Sequence, residues 1–299
     1  MSEIYDLVFE IPSKTFIIGE YLAINGTASL VAATQPAFFI KTNKDKNFGF
    51  HPESPAGRLR NELKLTNVGF SIIDPHDGRG GFGKSTAEFL AVYLYDQYSR
   101  SDYENLTDGI LDNLSEFVPH YQSCAGGDYR PSGADLVAQV SGGFCWYDGM
   151  NFNSEKLNWP FPGYDIFIFH TGKKMATHEH LKDLKTKNLQ SLIPILLAAR
   201  TSIDHENLRV FAESLNYYYD VLNESGLSDP NVYSSILELR RSEKVLAAKG
   251  CGAMGMDTVI VLAEKSAENE IKEMCYTHDF QFITSVLNSH SGAIVRRPS

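Results

Sequence analysis

The run Gly78–Thr86, reading GRGGFGKST, constrains this chain more than any other stretch. Glycine accepts positive-φ backbone at no steric cost, so such a run turns tightly and lets the main chain come close to a ligand. Immediately beyond it Ala87, Leu90, Ala91 and Leu94 fall at i, i+3, i+4 and i+7. That stripe predicts an amphipathic helix over Lys84–Tyr98. A glycine turn that ends at a helix N-terminus forms an anion cradle, because free N–H groups and the helix dipole both favour negative charge. The expected occupant is the phosphate chain of a nucleotide.

Around this helix the period alternates. Asp6–Ile11, Thr15–Ile18, Ala37–Lys41 and Val68–Ile73 are short β-branched or aromatic segments and read as strands. A helix is expected over Glu104–Val118, another over Gly133–Val140, and a strand over Phe144–Tyr147. The polar segment Asp148–Gly163 is the expected boundary, giving domains of 1–160 and 161–299. In the second half Asp165–Phe169 reads as a buried strand. Leu189, Leu192, Ile193 and Leu196 make one helical stripe, kinked or restarted at Pro194. Phe211, Leu215, Tyr218 and Leu222 make the next. A helix over Asn231–Leu246, a glycine loop, the strand Thr258–Leu262 and the helix Ser266–Tyr276 complete the pattern. Strands mixed with segregated helices in both halves point to the α+β class.

Composition narrows the function. With 27 Lys+Arg against 37 Asp+Glu the formal net charge is −10, which argues against a general nucleic-acid binder. At 43% hydrophobic and 21% charged residues, the chain can bury a sizeable core. No apolar run approaches the roughly 20 residues of a membrane helix, and the N-terminus lacks the features of a signal peptide. Cys124, Cys145, Cys251 and Cys275 are widely spaced without a C-x-x-C pair. A soluble, cytoplasmic protein with free thiols is therefore expected, with no membrane or nucleic-acid partner.

Read literally, Gly78–Ser85 satisfies G-x-x-x-x-G-K-S, the Walker pattern. A Walker loop leaves a buried strand at once, however, and here Pro75, His76 and Asp77 intervene. The rest of the chain carries a different resemblance. PSKTFIIGEYLAINGTASLV, from Pro12 to Val31, closely resembles the first motif of the GHMP kinases, the family of galactokinase, homoserine kinase, mevalonate kinase and phosphomevalonate kinase. GGFGKSTA resembles the second motif, with Gly81, Gly83, Ser85 and Ala87 in register. RPSGAD, from Arg130 to Asp135, is similar to the P-S-G-x-D segment of mevalonate kinases. HTGKKMAT, from His170 to Thr177, looks like the T-G-x-x-x-x-T stretch of mevalonate-pathway members, and KGCGAMGMD, from Lys249 to Asp257, resembles the third glycine motif. On this reading Lys84 stands where the family usually has Ser, and the Walker match is coincidental.

The resemblance implies a two-domain fold, the N-terminal part like domain 2 of ribosomal protein S5 and the C-terminal part ferredoxin-like. It also implies an ATP-dependent, Mg²⁺-assisted kinase of a small anionic substrate, with a second copy of the chain as an admissible partner. Phosphoryl transfer needs positioning, charge neutralisation and a carboxylate to accept the proton of an attacking hydroxyl. By resemblance Lys14 touches the acceptor oxygen and transferring phosphoryl, Asp135 is the base, and Gly81, Gly83, Lys84, Ser85 and Thr86 bind ATP, with Ser85 on the metal. Tyr21, Arg130, Ser132, Gly133, Lys173 and Gly252 are assigned to the acceptor. Taken singly, Lys14 also reads as a solvated lysine, Ser85 as an N-cap and Asp135 as a first-turn acid.

Two departures stand out. Met254 and Met256 replace residues that are usually glycine, which bears on how closely the third loop approaches a nucleotide. Cys124 occupies the position of a Glu that serves mevalonate kinases as a second metal ligand; Asp128 is nearby. Tyr after Gly19-Glu20, Asp257, and the cations Arg79, Lys84, Arg130, Lys173 and Lys174 lean towards phosphomevalonate as acceptor, whereas PSGAD leans towards the mevalonate hydroxyl. Another acceptor of the family, or a non-catalytic sugar- or nucleotide-binding regulator, are the remaining readings.

Overall fold

The computed structural model describes residues 6–43, 49–100, 106–126, 130–173 and 189–297. Its strands form two antiparallel sheets. In the first, β1 (Val8–Ile18) pairs along its length with β2 (Ser29–Asn43). The two ends of β2 then take different partners, Phe39–Asn43 lying against β3 (Gly69–Ile73) and Ser29–Ala32 against β4 (Phe144–Asp148). β5 (Asn153–Leu157) adds an edge beside β4. The second sheet runs β7 (Val245–Cys251), β8 (Thr258–Glu264), β6 (Tyr164–His170), β9 (Gln281–Ser285). The last strand, β10 (Ile294–Arg296), returns to the first sheet and pairs with β1.

Several elements differ from the sequence expectation for local reasons. The two strands expected on either side of Pro12 are one strand, because the register shifts between Ile11 and Ser13. A proline has no N–H for the ladder, and a bulge is where a sheet accommodates that loss. The helix expected over Glu104–Val118 is two helices, α3 (Leu106–Asp112) and α4 (Leu114–Ala125), separated at Asn113. The helix expected to reach Leu246 ends at Leu239, and Val245–Cys251 is the fully covered strand β7. A short apolar run buried on both faces has no alternation to betray it. Of the kink or restart expected at Pro194, the structure shows a helix start: Pro194 sits in the first turn of α6 (Leu192–Asp204), where its missing N–H has no helical partner to lose. Within the segment expected to be a boundary, β5 completes the first sheet.

The core sits between each sheet and its helices. α5 (Ala134–Ser141) packs on β1, β2 and β4, with α2 (Lys84–Arg100) beside it and α1 (Pro55–Glu62) outside α2. In the second half α7 (Leu208–Glu224) and α8 (Pro230–Leu239) lie on β7, and α9 (Glu268–Tyr276) on β8 and β9. Contacts of α7 and β7 with β1 join the halves. Among the described residues no helix is long and apolar enough to cross a membrane.

Candidate active site

The bulge in β1 turns Lys14 towards the glycine run. Its side chain is only 9% exposed, and its N–H donates to the carbonyl of Phe82 at 3.1 Å. The run itself needs glycine at two positions. Gly81 has φ +90, and a Cβ there would stand 2.8 Å from Cβ of Asp257; Gly83 has φ +85, and a Cβ would stand 2.8 Å from Cγ of Lys14. No larger residue admits both the backbone and the approach. α2 starts directly after Gly83, whose carbonyl accepts the first helical bond from the N–H of Ala87 at 2.9 Å. The N–H groups before it face outward from the helix start. Ser85 is exposed to the cleft there. The hydroxyl of Thr86 is turned back onto the Gly83 carbonyl at 2.9 Å, so Thr86 closes the loop instead of lining the cleft.

Beneath this loop is a support that sequence reading missed. His76 stacks on Phe82 with ring centroids 3.8 Å apart. The Ser13 hydroxyl donates to the carbonyl of Pro36, which leaves Nε2 of His76 as the donor in the 2.6 Å bond between them. Burial pushes the His76 imidazole down to about 4, against the opposing pull of Asp74, so it is neutral at neutral pH.

α5 supplies the other half of the site. Ser132 accepts from the N–H of Ala134 at 3.2 Å, Gly133 precedes the first helical residue, and Asp135 in the first turn pairs with Nζ of Lys14 at 2.9 Å. The second carboxylate oxygen, Oδ1, is buried without a hydrogen-bond partner. One turn on, the fully buried Gln139 donates from Nε2 to the carbonyls of Pro12 at 2.8 Å and Gly83 at 3.1 Å. Asp135 and Gln139 share one helix face, so a single element fixes the lysine strand and the glycine loop together.

A second layer comes from the turn after β1. Glu20 forms an ion pair at 2.5 Å with Lys249, whose side chain is 0% exposed. Burial opposes the charge on Lys249, but Cys251 and Glu20 outweigh it and its pKa is raised. The Tyr21 hydroxyl accepts from the N–H of Met254 at 2.9 Å and donates to the carbonyl of Leu227, and burial raises its pKa. These bonds tie the first motif to the third glycine loop. Gly252, Ala253 and Asp257 of that loop face the cleft, while the two methionines are not among its lining.

The cleft enclosed by these elements holds about 510 Å³. Lys14, Tyr21, Arg130, Ser132, Asp135 and Gly252 line it together with the glycine run from Gly78 to Ser85. Lys84 is paired with Asp74 at 3.3 Å, whereas Arg79 and Arg130 have no carboxylate partner among the described residues. Lys173 lies apart. It reaches Asp229, the N-cap of α8, at 3.5 Å and does not line the cleft. Cys124 does not line it either; its Sγ meets Oε2 of Glu62 at 3.7 Å. Lys174, Thr177 and Asp128 lie outside the described residues. The Walker geometry is not present: Asp74 to Gly83 separate β3 from α2, and β3 is antiparallel to its neighbour.

No family model and no curated protein matches the chain in sequence. Solved structures do match it in shape over nearly their whole length. The Methanococcus jannaschii mevalonate kinase superposes with a TM-score of 0.71 at 15% identity, covering 93% of this chain and 97% of that one. The Streptococcus pneumoniae phosphomevalonate kinase gives 0.73 at 13%, covering 94% and 99%, and the Lactococcus lactis galactokinase 0.74 at 16%, covering 98% and 95%. The chain has the GHMP kinase fold. Within that fold residues of four of the five motifs, the first, GGFGKSTA, RPSGAD and the third glycine motif, meet at one cleft, although Lys14 and Asp257 are far apart in the sequence; the described residues of HTGKKMAT do not line it.

Proposed function

We propose that this chain is an ATP-dependent small-molecule kinase that transfers the γ-phosphoryl group to phosphomevalonate. The observation that carries the kinase reading is the Lys14–Asp135 pair at 2.9 Å, held in the cleft beside a glycine loop that opens a helix. The loop N–H groups and the dipole of α2 suit a polyphosphate, and the cleft-facing Ser85 hydroxyl would hold Mg²⁺, whose charge when bound would neutralise phosphate. Lys14 sits between loop and carboxylate, where it neutralises the transferring group. An acceptor oxygen attacks phosphorus, the bond from phosphorus to the β-γ bridging oxygen breaks, and ADP leaves.

Two arginines support an anionic acceptor: Arg79 in the glycine run and Arg130 in the RPSGAD segment both line the cleft, and neither has a carboxylate partner among the described residues. A mevalonate hydroxyl is the second reading, favoured by the free Oδ1 of Asp135, which is available to take a proton. ATP consumption with mevalonate, phosphomevalonate, galactose and homoserine in one panel separates the readings. Asp135→Asn sharpens the answer. With a hydroxyl acceptor it removes a general-base contribution of roughly 10²- to 10⁴-fold, and the acid limb of kcat disappears. With a phosphate acceptor, whose second pKa is about 6, the limb follows the substrate and survives the mutation. Turnover of none of the four compounds overturns the proposed acceptors, and full activity of Asp135→Asn overturns the catalytic role of Asp135.

A further inference from the structure

Three metal-ligating side chains converge away from the phosphate loop. Glu62 is the last residue of α1; His120 and Cys124, at i and i+4, share one face of α4. Nε2 of His120 is 3.1 Å from Oε1 of Glu62, Sγ of Cys124 is 3.7 Å from Oε2, and one ligand atom from each residue falls within 4.8 Å of the others. Ligands on a tetrahedral zinc ion, at bond lengths of about 2.0–2.3 Å, stand about 3.3–3.8 Å apart. Small side-chain rotations bring the three groups to that spacing.

Two further features favour a cation here. The His120 ring packs edge-on against Phe89 and Tyr93, which fixes the direction in which Nε2 points. Glu62 ends a helix, where the dipole disfavours an anion, so its carboxylate gains from a positive charge. The nearby Arg58 guanidinium is engaged by Glu53 at 3.0 Å. Imidazole, thiolate and carboxylate together are a zinc donor set, and the two anions balance the charge of the ion.

We propose that Glu62, His120 and Cys124 form a zinc site with its fourth position open to water, clamping α1 to α4. Both helices reach the cleft, α1 through Pro55 and α4 through Tyr121 and Ala125, so the ion braces the cleft wall. As the Zn–S bond forms, the Cys124 thiol proton leaves to solvent. The site is independent of the kinase reading, since no nucleotide or acceptor takes part.

The test uses the untagged full chain, stripped with a chelator and titrated first with Co²⁺ and then with Zn²⁺. About one equivalent of Co²⁺ should bind with the d–d bands of tetrahedral cobalt and a thiolate charge-transfer band, and Zn²⁺ should displace it. Cys124→Ser should lose the charge-transfer band. His120→Asn and Glu62→Gln, at positions that are not fully buried, should each weaken binding by more than the roughly 10- to 100-fold that an outer-shell partner is worth. Zn²⁺ should raise the melting temperature of wild type and not of these variants. Absence of the band in wild type overturns the site. So does an unchanged band in Cys124→Ser, or metal affinity unmoved by His120→Asn and Glu62→Gln; these two also keep the test valid if Cys124→Ser fails to fold.

Discussion

Replacing Lys249 with methionine should cost more than any surface change in this chain, and the size of the loss can be worked from the burial of its partner. Glu20 is 7% exposed, its Oε1 accepts from Lys249, and its Oε2 has no hydrogen-bond partner. In Lys249→Met the carboxylate stays buried with its main partner gone, which typically costs about 3–5 kcal/mol. Proton uptake caps the penalty. Moving a glutamate from its ordinary value of about 4.3 to pH 7 is about 2.7 units, or about 3.7 kcal/mol at about 1.36 kcal/mol per unit.

The cap gives the loss a sign in pH. In the variant the folded state holds a proton that the unfolded state releases above about pH 4.3, so the deficit grows as pH rises and shrinks towards pH 5. Urea titrations of wild type and Lys249→Met at pH 5, 7 and 8 measure this. The double variant Glu20→Leu/Lys249→Met should recover most of the loss, because a buried pair replaced by apolar groups of similar size is often neutral. A single-variant loss below about 1 kcal/mol, independent of pH, would refute the reasoning, as would a double variant no more stable than the single.

Lys84→Ser should keep substantial kcat/KM and cost less than about 1 kcal/mol, since it breaks only a partly exposed pair with Asp74; a loss as deep as that of Lys14→Ala would mean that Lys84 itself neutralises phosphate in this loop. Gln139→Leu leaves the Pro12 carbonyl without its side-chain donor and should destabilise the fold by about 1–3 kcal/mol; because it frees the glycine loop from β1, KM for ATP should rise, and an unchanged KM would remove its positioning role. His76 is held neutral with its pKa near about 4 against about 6.5 unfolded, so the unfolded state binds the extra proton between these values. Wild-type stability should therefore fall by roughly 3.4 kcal/mol, about 2.5 units at about 1.36 kcal/mol each, as pH drops through that window, and His76→Gln should lose that slope.

The parts legible in the sequence are those in which local chemistry and tertiary role coincide. Gly81 and Gly83 are glycines because backbone and approach both demand it, and the stripe behind them is a helix because the same residues face the core. Lys14 and Asp135 were readable only through their motifs; nothing in the spacing of Pro12 and Pro131 says that the two side chains meet. Gln139 left no signal. In a helix whose other faces read Leu136, Val137 and Val140, a lone glutamine resembles a solvated position, and its burial follows from two carbonyls supplied by distant residues. β5 and β10 were unreadable for a related reason: each is short and depends on a neighbour for its ladder.

Charge shows the same limit. The sequence offers Arg79, Lys84, Arg130, Lys173 and Lys174 as equivalent cations near the motifs, and on that basis all five could serve anions. Of the four that lie among the described residues, folding pairs two with carboxylates. Lys84 is drawn to Asp74, and Lys173 is drawn to the aspartate that caps α8, outside the cleft. A paired cation adds little net potential at a distance, so the positive share of the cleft's field comes mainly from Arg79 and Arg130, which have no carboxylate partner among the described residues. Those two belong to different segments of the lining, Arg79 to the glycine run and Arg130 to the stretch before PSGAD. On the proposed reading a nucleotide lying over the helix start would meet the first, and an acceptor approaching Asp135 the second. On the proposed kinase reading Arg130 is then the cation left for an anionic group on the acceptor, a residue that the sequence motif includes but whose lack of a carboxylate partner among the described residues only the fold reveals.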